Sequence, residues 1–192
     1  SMVPARLQLA LYVDPTHDDA LFFLAQSWFE LGQFNRARSA LAKIDNTSLW
    51  ALPRLLLLND IDIHAGNLDI AINRFHAYVI ARPDNGYLLK ELGDLYRQDK
   101  QYGKARDNYL RAIEAGFDTA NLYRNLAISH ERLDEDEQAE MHFKGALARD
   151  PDDPFTLNYL GYWWAESGHH LTEAIELIEQ AVRLRPDSGF FV

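Results

Sequence analysis

Seven histidines are the side chains of this 192-residue chain that come first into question for catalysis or metal binding. Two pairs are each spaced by twelve residues and can face one another within a helical hairpin; they are His64 with His76 and His130 with His142. His169 and His170 are adjacent, so their side chains diverge, and no further ligands for a shared metal are evident. These histidines are therefore interpreted as packing, surface or loop residues.

Carboxylates and sequence motifs give no stronger indication of an active site. The acidic run 134–137 lacks the alternating ligands and loop glycine of a calcium site, and acidic residues favour the start of a helix. His130 and Glu131 do not continue into a zinc-protease motif, because Asp134 stands where the second histidine is required. With no cysteine, thiolate chemistry is excluded. We expect no catalytic residue, no metal site and no cofactor.

The charge balance excludes further function classes. The chain has 19 Lys and Arg against 29 Asp and Glu, a net charge of -10, which opposes binding to a phosphate backbone. Its longest apolar stretch, 49–63, is interrupted by polar residues, so no membrane span is predicted. Since 47% of the residues are hydrophobic, the chain can build a core. A soluble protein is expected, and a chain without cysteine suits the cytoplasm or the periplasm equally.

An internal repeat of 34 residues predicts the secondary-structure elements that would position any functional site. The repeated leucines are Leu24, Leu58, Leu92, Leu126 and Leu160, and four of them are followed by alanine or glycine. Within each unit the apolar spacing is helical. The sequence therefore predicts two antiparallel helices per unit, with small residues where the helices approach closely. Neighbouring units must stack, because one short hairpin cannot bury its apolar side alone.

The third unit carries the pattern most fully. It contains Leu89, the pair Leu92-Gly93, Tyr96, Ala105 and Tyr109. In this respect the chain resembles the tetratricopeptide repeat family. The resemblance implies an all-α fold, a right-handed solenoid of antiparallel helix pairs.

The second unit departs from the family pattern and is expected to pack irregularly. It has Asn59 in place of the small residue and Asp62 in place of the aromatic one. The motif 158–162 is similar to bacterial members of the family.

The repeat sets the expected domain boundaries. We expect one array over 1–192, with a half-repeat at 1–17, full repeats at 18–51, 52–85, 86–119, 120–153 and 154–188, and the start of a further repeat at 189–192. Such arrays usually end in a polar capping helix, and none is visible here. The expectation is a segment of a longer protein, and the alternative is self-association through open repeat ends.

Helix ends are also predicted from local signals. Gly32, Gly66 and Gly168 follow first helices and are expected to adopt left-handed conformations. Thr16 and Asp19 are expected to form a capping box at the start of the first unit.

The resemblance implies a concave groove lined by the first helix of each repeat. The residues that it assigns to a partner-binding groove are Phe22, Gln26, Phe29, Leu56, Asp60, Ile63, Tyr87, Lys90, Asp94, Arg97, Asn121, Arg124, Asn125, Asn158 and Tyr162. The first two repeats supply apolar anchors, namely Phe22, Phe29, Leu56 and Ile63, and the asparagines of the later repeats could bind a peptide backbone. The alternative for any single aromatic is that it packs against a neighbouring unit.

Chaperone-binding members of the family hold a peptide carboxylate in a clamp of lysine, asparagine and basic residues. Lys90 and Asn125 match that clamp, but Asp94 stands where a second asparagine is required, and Phe155 and Tyr159 occupy the basic positions. Because an aspartate repels a carboxylate, binding of chaperone tails is not expected.

The sequence thus predicts a non-catalytic module that binds a peptide or helix of a protein partner, with no nucleic acid. Two alternatives stay open. One is the substrate-recognition arm of a larger enzyme, such as a glycosyltransferase, or of a secretion component. The other is a self-assembling scaffold.

Overall fold

A computed structural model describes residues 3–186 of the chain. Within this range it contains eleven α-helices and no strand, which confirms the predicted all-α class. The helices are α1 (Val3–Val13), α2 (Asp18–Glu30), α3 (Phe34–Leu41), α4 (Ala51–His64), α5 (Leu68–Ala81), α6 (Gly86–Gln98), α7 (Tyr102–Glu114), α8 (Ala120–Glu131), α9 (Asp136–Arg149), α10 (Pro154–Ser167) and α11 (Leu171–Leu184). The predicted start of a further repeat at 189–192, and the end of the preceding repeat, lie outside the described residues.

The chain divides into two compact units, Ser1–Phe75 and His76–Val192. In the first unit α2 pairs with α1 and α3, and α4 contacts α2 and α3. In the second unit α6 pairs with α7, α8 with α9, and α10 with α11. Short turns join the members of each pair, so the pairs are antiparallel hairpins. No helix among residues 3–186 is both long enough and apolar enough to cross a bilayer.

Small residues allow the helices of a hairpin to approach closely, as the sequence predicts. A Cβ atom added to Gly93 of α6 would lie 2.6 Å from the ring of Tyr109 on α7. A Cβ atom at Gly161 of α10 would lie 2.9 Å from the carbonyl oxygen of Ala174 on α11.

The helix ends confirm one predicted signal and correct another. Gly32, Gly66 and Gly168 have φ angles of 69°, 76° and 71°, the left-handed conformation expected of them. The predicted capping box at Thr16 is wrong, because the Thr16 hydroxyl donates to Asp14 at 2.8 Å. His17 is the N-cap of α2 instead, and its Nδ1 accepts from the backbone N–H of Ala20 at 3.4 Å.

The second repeat carries an ion-pair cluster where other repeats have an aromatic ring. Asp62 of α4 has a side chain that is 1% exposed, and it contacts Arg38 of α3 and Arg74 of α5, the latter at 2.5 Å. Burial alone would raise the pKa of Asp62, but hydrogen bonds from both guanidinium groups lower it below its usual range. Asn59 accepts a further hydrogen bond from Arg74 at 2.9 Å. The irregular second repeat is thus held by polar contacts.

Candidate functional site

The candidate site lies on the first helices of the three hairpins in the second unit, and we call this surface the first-helix face. It consists of the sides of α6, α8 and α10 that are turned away from the apolar core. On α6, Leu88, Leu92 and Leu95 are buried, whereas Lys90 and Arg97 are only partly buried. The helical period therefore separates core residues from face residues on the same helix.

Side-chain caps fix where these helices begin. The side chains of Asn85, Thr119 and Asp153 accept hydrogen bonds from the first turns of α6, α8 and α10. Asp153 also binds Arg124 of α8 at 2.5 Å, which joins the start of α10 to its neighbour. Burial opposes ionisation of Asp153, but its hydrogen bond from Thr156 and the charge of Arg124 give a lowered pKa.

Asp94 is the centre of a hydrogen-bond network on this face. Its Oδ1 accepts from the Tyr109 hydroxyl at 2.6 Å and from the Asn125 Nδ2 at 2.8 Å. Its Oδ2 lies 2.7 Å from the Lys90 Nζ. Burial, followed by the charge of Asp94, raises the pKa of Tyr109, so this hydroxyl remains a donor. The network links α6 to α8 and leaves no net charge on the Lys90–Asp94 pair.

This network has a consequence for carboxylate binding. Lys90 and Asn125 are the two residues that match a peptide-carboxylate clamp, yet both already bind Asp94. Asn125 is also buried, and its Nδ2 lies 3.4 Å from the Asn121 Oδ1. Asp94 therefore both repels an incoming carboxylate and occupies the donors that would hold it.

A small cavity of 220 Å³ opens on the face between α8 and α10. It is lined by Glu131, Arg132, Asn158, Tyr159, Tyr162, Trp163 and Glu166. The Tyr159 hydroxyl donates to Glu131 at 3.2 Å and accepts from Arg132 at 3.4 Å. Burial, together with the charge of Glu131, raises the pKa of Tyr159 to about 12. The Oδ1 atom of Asn158 is buried and has no hydrogen-bond partner among the described residues.

The remaining predicted residues of this face differ in how accessible they are. Asn121 is exposed, Tyr162 is 40% exposed, and Tyr87 is half-buried with its ring 6.0 Å from that of Phe117. Arg97 is half-buried, and its Nε atom has no hydrogen-bond partner within the described range. The accessible polar groups are therefore concentrated on α8 and α10.

In the first unit the predicted aromatic anchors already have ring partners. Phe22 stacks on Trp50 with centroids 4.5 Å apart, and Phe29 meets His64 edge to face at 5.2 Å. Of the other predicted residues of this unit, Leu56 and Ile63 are half-buried, and Gln26 and Asp60 are exposed. In the second unit, by contrast, two of the predicted residues, Asn158 and Tyr162, line the same cavity.

The residues considered for catalysis or metal binding have other contacts. His130 and His142, whose spacing allows them to face one another, stack with centroids 5.1 Å apart, and the Nδ1 of His130 lies 2.5 Å from Glu135. Burial and the neighbouring His130 lower the pKa of His142 to about 4. His170 lies 4.7 Å from the Trp164 ring. No cluster suited to a metal ion occurs among residues 3–186.

Sequence reasoning missed two features of the first unit. The first is Trp50, which covers Phe22 and Phe23 and for which the repeat pattern gave no signal. The second is a cavity of 610 Å³ at the hairpin turns, beside Asp62 and Arg38. The sequence signals only the ion pair beside this cavity, because an aspartate at an aromatic position requires a cationic partner.

Comparison with known proteins identifies relatives of this fold. The family model described as tetratricopeptide repeat matches residues 63–118. The TPR repeat-containing protein PA4667 of Pseudomonas aeruginosa is 31% identical over 143 residues, which is 71% of this chain and 23% of that protein. The chain therefore spans about a quarter of the length of this curated relative.

Solved structures show the same fold. The Cut9 and Hcn1 hetero-tetramer of the APC/C aligns with a TM-score of 0.74 and 18% identity over 98% of this chain and 37% of the matched chain. YrrB, a TPR protein with an unusual peptide-binding site, aligns with a TM-score of 0.65 and 16% identity over 96% of this chain and 94% of its own. The predicted fold of paired helices is thereby confirmed.

Proposed function

Because the chain belongs to the tetratricopeptide repeat family, we propose that it is a non-catalytic module that binds an extended peptide of a protein partner on the first-helix face. Members of the family are generally protein-interaction modules. YrrB is described as having an unusual peptide-binding site. At 16% identity, its similarity to this chain shows only a shared fold. The proposal therefore rests on the chemistry of this chain's own residues.

The observation that carries the proposal is the unpaired Asn158 Oδ1 beside the 220 Å³ cavity. A buried acceptor without a partner is costly, and a donor from a bound molecule would remove that cost. A peptide backbone offers N–H donors at regular intervals. The cavity is smaller than the usual pocket for a complete small ligand, so it suits a single side chain of a longer chain.

The remaining groups suit the same ligand. Tyr162 is 40% exposed at the cavity and offers a rigid aromatic surface, the residue type that often dominates binding energy. Asn121 is exposed on α8 and can bind a second peptide group. Lys90 is paired with both Glu91 and Asp94, and Arg124 is paired with Asp153, so these basic residues do not require an acidic segment.

The test is selection of binders from a random peptide library on the full chain, followed by affinity measurement on variants. Asn158→Ala is expected to weaken a selected peptide about tenfold, which corresponds to one lost hydrogen bond of about 1.4 kcal/mol. Tyr162→Ala is expected to weaken it at least as much. Asn73→Ala and Tyr78→Ala on α5 are the matched controls, and both are expected to leave affinity unchanged.

Two results would contradict the proposal. One is equal affinity of Asn158→Ala and Asn73→Ala for every selected peptide. The other is failure of the selection to enrich any peptide although thermal melting shows that the chain is folded.

A further inference from the structure

Two cavities recur at equivalent repeat positions, one in each unit, on the second helices and not on the first-helix face. The α7 pocket has a volume of 530 Å³ and is lined by His76, Val79, Ile80, Pro83, Leu92, Tyr96, Lys104, Asp107, Asn108 and Arg111. The α3 pocket has a volume of 340 Å³ and is lined by Gln8, Leu11, Leu21, Leu24, Trp28, Arg36, Ser39, Ala40 and Lys43. The α3 and α7 positions are two repeats apart.

Both pockets have an aromatic floor beneath a basic side chain. In the α7 pocket the Lys104 ammonium lies 5.2 Å from the centre of the Tyr96 ring. In the α3 pocket the Arg36 guanidinium lies 4.9 Å from the centre of the Trp28 ring. The cation–π contact holds the basic group at the edge of an apolar floor. The repetition of the contact in two units indicates a common arrangement.

Each pocket also has a second basic residue seven positions further along the chain, within α7 in one pocket and two residues past the end of α3 in the other. The pairs are Lys104 with Arg111 and Arg36 with Lys43. At 1.5 Å of rise per residue, Lys104 and Arg111 are about 10 Å apart along α7. Asp107 is the only carboxylate among the described residues that line the α7 pocket, and it lies 3.0 Å from Arg106. The described lining of the α3 pocket includes no carboxylate.

Asn108 adds an unsatisfied group inside the α7 pocket. The residue is 8% exposed, and its Nδ2 donates to the backbone carbonyl of Lys104 at 2.8 Å. Since that carbonyl can only accept, the orientation of the amide is fixed. The Oδ1 atom is buried and has no partner within the described part of the chain. An occupant with an apolar body and one N–H donor would satisfy both the floor and this acceptor.

We propose that the two pockets bind acidic amphipathic helices of a partner protein. The recognised segment has two carboxylates seven residues apart and an apolar side chain between them. The carboxylates match the helical spacing of Lys104 and Arg111, and Arg36 and Lys43 have the same sequence spacing; the apolar side chain enters the cavity. In the α7 pocket the walls are formed by His76, Val79 and Ile80 of α5 and by the stripe 104–111 of α7, with Ile80 exposed at the rim, so a third helix can lie along the groove. Local positive charge on a chain of net charge -10 favours an acidic segment at these places.

The proposal is tested with the full chain and a synthetic helical peptide of about 16 residues, which is long enough to hold a helix. The probe has two glutamates seven residues apart with a tryptophan between them, and the matched probe has glutamines instead. Fluorescence anisotropy at low salt is expected to give at least tenfold tighter binding of the glutamate probe. The double variant Lys43→Glu with Arg111→Glu is expected to abolish this preference. The control Arg183→Glu, an exposed residue of α11, is expected to retain it.

A second pair of probes tests whether the Asn108 Oδ1 atom accepts a hydrogen bond from the bound segment. Replacing the probe's tryptophan by phenylalanine removes the N–H donor, so the wild-type chain is expected to bind the tryptophan probe more tightly. Asn108→Leu is expected to reduce that difference, whereas Asn73→Leu on the exposed surface of α5 is expected to preserve it.

Several outcomes would overturn the proposal. They are equal binding of the glutamate and glutamine probes, no binding of either, or an equal loss in Arg183→Glu, which would indicate attraction by overall charge alone. Loss of binding in Tyr162→Ala without loss in the double variant would also overturn it, because the probe would then occupy the first-helix face. Circular dichroism of each variant confirms that it is folded.

Discussion

Replacement of Asp62 by asparagine is expected to destabilise the first unit by about 3 kcal/mol. The carboxylate contacts two arginines, and asparagine keeps its shape but cannot balance their charges. Loss of one member of a buried pair typically costs about 3–5 kcal/mol. Here the Arg38 and Arg74 side chains are 31% and 23% exposed, so water compensates part of the loss and the lower end of the range applies.

The assay is urea unfolding monitored by circular dichroism. The free energies of unfolding are compared between variants whose unfolding free energy depends on urea concentration with the same slope. Asp60→Asn is the matched control, because Asp60 lies on the same helix and the chemical change is identical. Although the Asp60 residue is exposed, partial desolvation of its carboxyl group raises its pKa, so its charge is not stabilising in the folded state. We expect Asp60→Asn to change the stability by less than about 0.5 kcal/mol.

The stability difference between the wild type and Asp62→Asn is expected to depend on pH in one direction. The pKa of Asp62 is lower in the folded state than the unfolded value of about 3.9. Its contribution is therefore fully present above that value and is lost as the pH falls through the folded pKa. The gap between the wild type and Asp62→Asn should narrow in acid. Equal stability of Asp62→Asn and Asp60→Asn at neutral pH would refute the reasoning.

Other contacts give further predictions. Tyr109→Phe removes the hydrogen bond to Asp94 and is expected to lower the free energy of unfolding by about 1–2 kcal/mol in urea titrations; an unchanged value would contradict the network. Gly161→Ala is expected to lower the melting temperature, because its Cβ would lie too close to α11, whereas Gly103→Ala, with open space around it, should not. His142 has a pKa of about 4, so its contribution to stability is full at neutral pH and is lost as the pH falls from about 6.5 towards 4. Because the ring is only partly buried, the loss is expected to be about 1 kcal/mol, and His142→Phe should abolish it while His169→Asn should not.

The helical class and the close approaches within hairpins could be predicted because both follow from spacing. Small residues such as Gly93 and Gly161 recur where two backbones meet, and only the absence of a large side chain permits that contact. The same spacing argument allowed His130 and His142, twelve residues apart, to face one another within a hairpin, and in the structure their rings stack. Period and residue size are local properties of the sequence.

The contacts between repeats could not be predicted in the same way. Asp94 binds Asn125 of the next hairpin, and Trp50 stacks on Phe22 of an earlier helix. These contacts depend on rotamers and on helix positions, which spacing does not determine. For this reason the sequence assigned Lys90 and Asn125 to ligand binding, whereas in the structure both bind Asp94.

The most direct test of peptide binding on the first-helix face is the hydrogen-exchange footprint of a library-selected peptide on the full chain. The account predicts slower exchange on α8 and α10, around Asn121, Asn158 and Tyr162, and no change on α9 or α11. Protection confined to the second helices, with unchanged exchange on α8 and α10, would contradict it.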